Sequence, residues 1–164
     1  MINEKVQKAI NEQINAELYS SYLYLSMASW FESIGYPGFA NWMKVQAAEE
    51  NEHAMKFFGF VIERGGRVLL KAIDAPETEW KSPLACFEAV LEHERKVTSL
   101  IDTLYQLARS EKDNASEIFL QWFVTEQVEE EANAEEIVQF LSKVKDAPQG
   151  MIMLDRHLAQ RKGH

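Results

Sequence analysis

Six residues with metal-binding side chains recur at matched spacings along this sequence. They are Glu17, Glu50, His53, Glu94, Gln127 and Glu130. The second follows the first by 33 positions, and the fifth follows the fourth by 33. Each set ends in a pair with i, i+3 spacing, and residues at that spacing lie on the same face of a helix. Each pair could therefore hold one metal ion.

Helix breakers divide the chain into the segments that must position these residues. The stretches SIGYPG, EKDNAS and KDAPQG are short turns, whereas Arg64 to Pro83 is a long connection with Gly65, Gly66 and Pro76 inside it. We predict helices over about 3–33, 38–64, 83–110, 115–144 and 149–161.

Apolar residues recur at steps of three and four in each long segment, which indicates amphipathic helices. The polar residues of the two sets interrupt these apolar faces instead of lying on the charged faces; Gln127 and Glu130, for example, share a face with Leu120, Phe123 and Ala134. The pattern predicts an all-α four-helix bundle in a single domain, 1–164. Its second and third helices are joined by a long crossover, and a short fifth helix follows.

Carboxylates converging inside such a bundle need a counter-charge, because an isolated buried carboxylate costs several kcal/mol. No Lys or Arg lies on the apolar faces near them. Protonation could relieve one or two of the glutamates, whereas two divalent cations would relieve all. Ligands dominated by oxygen, with one imidazole, suit Fe(II) or Mn(II) better than a metal that prefers thiolates.

Composition excludes several other function classes. The net charge of −9 argues against nucleic acid as a partner, since phosphate contacts need clustered Lys and Arg. The single cysteine, Cys86, leaves no internal disulfide and no CxxC metal site. The N-terminus lacks the apolar core of a signal peptide, and the longest apolar run, near FFGFVI, is too short to cross a bilayer. We therefore expect a cytoplasmic protein without a membrane partner.

The site positions, together with ELYSSYLYLSMA and FANWMKVQAAEENEHA, resemble the non-haem ferritins of bacteria and archaea along essentially the whole chain. The resemblance implies a di-iron ferroxidase centre. Glu17, Glu50 and His53 would bind the first iron. Glu50 would bridge to a second iron held by Glu94 and Glu130, with Gln127 close by. Gln127 could be a direct ligand or a hydrogen-bonding neighbour.

The same resemblance implies further site residues. Glu49, Glu126 and Glu129 match a third iron site near the first two, although the last two could instead be solvated. Tyr24 matches a tyrosine beside the centre, with either a redox role or a packing role. The residue after Glu50 is Asn51 where bacterioferritins carry a haem-ligating methionine, so we expect no haem.

The implied function is iron storage and detoxification. Fe(II) would be oxidised to Fe(III) by dioxygen or hydrogen peroxide, and ferric mineral would be deposited inside a shell of 24 self-assembled subunits. The alternative is a di-iron oxidoreductase that protects against oxygen or peroxide without storing iron. A bundle with an inactive site is a further alternative.

Overall fold

The computed structural model describes residues 1–163 and contains five helices in that range. They are α1 (Glu4–Ser33), α2 (Pro37–Glu63), α3 (Pro83–Ser110), α4 (Asn114–Val144) and α5 (Pro148–Leu158). No strand occurs between residues 1 and 163, and the predicted all-α bundle is confirmed. The one bound that differs by more than one residue is the end of α5, predicted at 161. Beyond Leu158 the Asn41 amide takes over as donor, bonding to the carbonyls of Leu158, Ala159 and Arg161.

Local side chains cap the starts of α1, α3 and α4. Asn3 accepts from the backbone N–H groups at the start of α1. Ser82 caps α3 by accepting from the N–H of Ala85, and Pro83 occupies the first turn. Asp113 caps α4 by accepting from Ser116. Each cap satisfies a donor that the helix itself leaves unpaired.

The long connection runs along α1 and sets the bundle topology. Backbone carbonyls of the connection accept hydrogen bonds from successive α1 side chains in the same order along both segments. These bonds are Asn11 Nδ2 to Arg67 O at 3.2 Å, Asn15 Nδ2 to Ala72 O at 3.1 Å and Ser26 Oγ to Glu77 O at 2.6 Å. The connection thus carries the chain from the end of α2 back to the end of the bundle where α2 began. α3 starts there, so α2 and α3 run parallel, as the predicted crossover requires.

Two apolar clusters fill the bundle, one at each end. The first contains Phe31, Phe39 and Phe87, with Phe31 and Phe39 stacked at a 5.0 Å centroid distance. The second contains Ile10, Phe57, Val61, Ile101 and Phe123. A layer of buried polar side chains lies between the clusters along the helices, and it contains the predicted metal-binding residues.

Trp80 and Cys86 both belong to the surroundings of the first apolar cluster. Trp80 of the connection is half-buried and packs on Trp30 at a centroid distance of 5.7 Å. Cys86 is a buried free thiol in the first apolar cluster. No helix within residues 1–163 combines the length and hydrophobicity needed to cross a membrane.

Candidate metal centre

All four long helices contribute to the polar layer between the apolar clusters. α1 supplies Glu17 and Tyr24, α2 supplies Glu50 and His53, α3 supplies Glu94, and α4 supplies Gln127 and Glu130. Every one of these side chains is buried, and none is more than 5% exposed. Long helices can bury this layer because each one continues into apolar residues on both sides of its polar position.

The buried carboxylates and the imidazole form overlapping groups of ligand atoms. Glu17, Glu50 and His53 form one group, and Glu50, Glu94 and Glu130 form another. Within each group the ligand atoms lie within 4.8 Å of one another. Nδ1 of His53 lies 3.5 Å from Oε2 of Glu50 and 3.8 Å from Oε2 of Glu17. Glu50 belongs to both groups, which is the arrangement of a carboxylate that bridges two metal ions.

One oxygen in the centre lacks a hydrogen-bond partner. Among residues 1–163, the buried side-chain nitrogens and oxygens are all hydrogen-bonded except Oε2 of Glu17. A buried acceptor without a donor is destabilising, and native proteins keep few of them. This oxygen faces Nδ1 of His53, so a cation bound between the two side chains would satisfy both. The donor set therefore fits a metal ion.

Three of the glutamates are held toward their protonated forms by their surroundings. Burial raises the pKa of Glu50 well above its ordinary value, and the charge of Glu94 raises it further. Burial also raises the pKa of Glu94, against the lowering effect of hydrogen bonds from Tyr24 and Gln127. Burial, followed by the charge of Glu94, raises the pKa of Glu130 to about 8. A divalent cation would reverse these shifts, because it favours ionised carboxylates.

Glu17 and His53, by contrast, are both favoured in their charged forms. Burial raises the pKa of Glu17, but its interactions with His53 and Glu50 outweigh burial, and the pKa lies below the ordinary value. Burial lowers the pKa of His53, but the interactions with Glu17 outweigh it, and the net shift is upward. Both shifts favour the charged forms of these two side chains, whose Glu17 Oε2 and His53 Nδ1 atoms lie 3.8 Å apart.

Tyr24 and Gln127 orient the carboxylate of Glu94, and Gln46 adds a longer hydrogen bond to its Oε1 at 3.5 Å. The Tyr24 hydroxyl donates to Oε1 of Glu94. The Gln127 amide nitrogen donates to Oε2 of Glu94 at 3.2 Å and to the Thr98 hydroxyl at 3.2 Å. Gln127 thus contacts the centre as a hydrogen-bond donor. These contacts favour the interpretation of Gln127 as a neighbour of the ligands.

The three residues predicted for a third site occupy different surroundings. Glu126 groups with His53 and Glu130, and its Oε1 lies 3.9 Å from Nε2 of His53. Glu49 is buried and accepts from Arg161 at 2.8 Å. Glu129 is exposed on α4. The structure therefore brings Glu126 into the centre, while a shared third site remains a prediction.

Sequence reasoning missed two glutamines that donate to the ligands. Gln13 donates to Oε1 of Glu17 at 3.0 Å. Gln46 donates to Oε2 of Glu130 at 2.6 Å and to Oε1 of Glu50 at 3.3 Å. Each glutamine precedes a glutamate of the centre by four residues on the same helix face. That repeated spacing was available in the sequence and could have identified both.

Comparisons with known proteins agree with this arrangement. A model of the ferritin-like domain matches residues 7–144. A bacterial non-heme ferritin of Bacteroides fragilis is 50% identical over 161 residues, covering 98% of this chain and 100% of that protein. A bacterial non-heme ferritin of Staphylococcus saprophyticus is 39% identical, covering 98% and 96%. A closed form of Archaeoglobus fulgidus ferritin, engineered by mutagenesis, is 55% identical with a TM-score of 0.99 over 100% of both chains. This chain belongs to the ferritin family.

Proposed function

We propose that this ferritin subunit oxidises Fe(II) to Fe(III) at a di-iron centre within each chain and stores the product as ferric mineral. The observation that carries the proposal is the pair of buried ligand groups that share Glu50. A structural role alone does not explain them, because three carboxyl groups kept near one another oppose each other's ionisation. Two bound Fe(II) ions would neutralise them together.

In this proposal each iron ion has its own ligand group. Glu17, Glu50 and His53 bind the first ion. Glu50, Glu94 and Glu130 bind the second, and Glu50 bridges the two. Gln127 and Tyr24 act through Glu94: their hydrogen bonds to its two oxygens fix the orientation of that carboxylate, as partners of metal ligands commonly do.

The reaction balances with two irons and one oxidant. Each Fe(II) gives up one electron, so the pair supplies two. Dioxygen takes these two electrons and two protons to form hydrogen peroxide, or hydrogen peroxide takes them to form two molecules of water. Carboxylate oxygens are hard ligands and stabilise the Fe(III) that results. No haem takes part, in keeping with Asn51 after Glu50.

Glu126 offers a way out of the centre for the product. It lies beside His53 and Glu130, is only partly buried, and is followed on α4 by the exposed Glu129. We propose that Glu126 and Glu129, with Glu49, form the third iron site through which ferric ions leave. Its exposure would make it the weakest of the three sites.

Storage requires a closed assembly, which we propose to be a cytoplasmic shell of 24 subunits. Support comes from the ferritin relatives and from apolar side chains on the outer surface of the chain. Tyr22 and Leu25 on α1 and Leu69 and Leu70 in the connection are at least half exposed. Such apolar surface is typical of protein contacts.

Sedimentation after aerobic loading with Fe(II), with iron counted per chain, tests the proposal. A storage shell would sediment as a particle of several hundred kilodaltons with many irons per chain. A non-storing oxidoreductase would saturate at two or three irons in a small oligomer. Glu50→Ala and His53→Ala should abolish rapid oxidation, while Glu135→Ala, an exposed residue on α4, serves as the control. Unchanged oxidation in the first two variants would refute the assigned centre.

A further inference from the structure

α5 and the residues after it are held against α2 by a set of specific contacts. The Asn41 amide donates to the carbonyl of Arg161 at 3.1 Å, in addition to those of the two residues at the end of α5. Oδ1 of Asp155 accepts from the N–H groups of Gly38 at 2.8 Å and Phe39 at 3.0 Å. The end of the described chain therefore has a defined position beside the centre.

The Arg161 guanidinium makes three hydrogen bonds and one cation–π contact from this position. Nη1 donates to the Trp42 carbonyl at 3.1 Å, and the guanidinium lies 4.3 Å from the centroid of the Trp42 ring. Nη2 donates to Oε1 of Gln46 at 2.7 Å and to Oε2 of Glu49 at 2.8 Å. The side chain is 18% exposed, so these bonds are largely shielded from water.

The contact with Gln46 determines which end of that amide faces the metal centre. A guanidinium can only donate, so the Gln46 carbonyl oxygen must face Arg161. The Gln46 nitrogen then faces the glutamates and donates to Glu130 at 2.6 Å and Glu50 at 3.3 Å. The reverse orientation would place an amide oxygen against a carboxylate oxygen and an amide nitrogen against a guanidinium, and both contacts are repulsive.

We propose that Arg161 is a positioning residue for the second iron: by fixing the amide of Gln46, it holds Glu130 in the orientation that binds metal. The inference rests on the proposed function. Arg161 reaches the second ligand group through Gln46, whose shortest bond, 2.6 Å, is to Glu130 and which also contacts Glu94 at 3.5 Å. Its bond to the shared Glu50 is longer, at 3.3 Å, and Glu17 of the first group is contacted by Gln13 instead. Loss of Arg161 should therefore weaken the second ion more than the first.

The test compares Arg161→Gln with Arg156→Gln. The two substitutions remove the same charge, and Arg156 is an exposed residue of α5. Anaerobic titration with Co(II), followed by the visible absorption of the bound ion, separates the two binding steps. We expect Arg161→Gln to weaken the second step about tenfold, the usual effect of losing one charge-assisted hydrogen bond. The first step should change less than twofold, and Arg156→Gln should match the wild type in both.

Gln46→Met provides the second variant, and it keeps Arg161 and the docked chain end intact. It should weaken the second step at least as much as Arg161→Gln, and the double variant should be no weaker than Gln46→Met alone, since residues acting in series are non-additive. Additive losses, equal weakening of both steps, or an Arg161→Gln titration identical to that of Arg156→Gln would overturn the inference. If Arg161→Gln does not fold, the Gln46→Met titration decides: an unchanged second step overturns the inference.

The proposed function fails separately. If the wild type binds two Co(II) ions in resolved steps but does not oxidise Fe(II), the ferroxidase proposal is wrong, and the positioning role is still decided by the titrations.

Discussion

Binding of two metal ions to the centre should release protons, because the surroundings of several ligands favour their protonated forms beforehand. Glu130 has a pKa of about 8, so at pH 7 about nine-tenths of the chains carry a proton there. The pKa values of Glu50, Glu94 and His53 are raised as well, which acts in the same direction. We expect saturation at pH 7 to release at least about one proton per chain, which Glu130 supplies.

A pH-stat titration with Zn(II) measures this release directly. Zn(II) is chosen because it is not oxidised, so no proton from iron oxidation or ferric hydrolysis is counted. Glu130→Gln should release about one proton fewer per chain at pH 7. Glu135→Gln, the same change at an exposed position on the same helix, should release as many as the wild type.

The apparent affinity for metal should rise with pH, because metal binding displaces the proton on Glu130. Where Glu130 is protonated, metal must displace its proton, so this residue makes the apparent affinity rise about tenfold per pH unit below pH 8. Above its pKa of about 8 that contribution should level off. If Zn(II) binds at pH 7 without releasing any proton, the carboxyl groups are already ionised before metal arrives, and the electrostatic reasoning about this centre is refuted.

Three further predictions concern stability and the neighbours of the ligands. Before metal binds, the folded chain holds a proton on Glu130 that the unfolded chain loses from pH 4.5 upward. The free energy of unfolding of the metal-free chain should therefore fall by on the order of 3 kcal/mol between pH 5 and 8. Denaturation of the wild type and of Glu130→Gln at both pH values measures this fall. Tyr24→Phe removes a donor to Glu94 and should weaken the second ion several-fold in the Co(II) titration; unchanged binding would leave Tyr24 a packing residue. Gly38→Ala would place Cβ 1.7 Å from the Asp155 carbonyl oxygen and should destabilise the fold by about 3 kcal/mol, measured by thermal denaturation; an unchanged melting temperature would contradict the close approach.

Most of the fold and the residues of the two ligand groups could be predicted, because the sequence patterns that indicate them lie within single helices or turns. Breakers such as Pro37 and Pro83 lie at helix starts, and the spacing of Glu50 and His53 needs only one helix to bring the two together. The contact of Arg161 with Gln46 could not be predicted. It joins residues 115 positions apart and depends on how α5 turns back onto α2, which no periodicity in either segment specifies.

The acidic run at 125–132 lies within α4, and the burial of its members could be predicted from the sequence only in part. Its buried members, Gln127 and Glu130, follow from the apolar periodicity of α4. The surroundings of Glu126 and Glu129 were predicted to be alike, yet one is partly buried beside His53 and the other is exposed. Two residues three apart on a helix share a face only approximately, and the neighbouring helix α2 covers one of them more than the other.

The chemistry of the neighbours explains how the centre stays available to iron. Three glutamines donate to its carboxylates: Gln13 to Glu17, Gln46 to Glu130 and Glu50, and Gln127 to Glu94. A lysine or arginine at these positions would stabilise the carboxylates more strongly, but it would also neutralise them and repel a divalent cation. An amide donates a hydrogen bond without a net charge, so it orients each carboxylate and leaves its negative charge for the metal. Arg161 fits this scheme because it does not contact the second ligand group directly: it donates to the neutral Gln46, which in turn donates to that group.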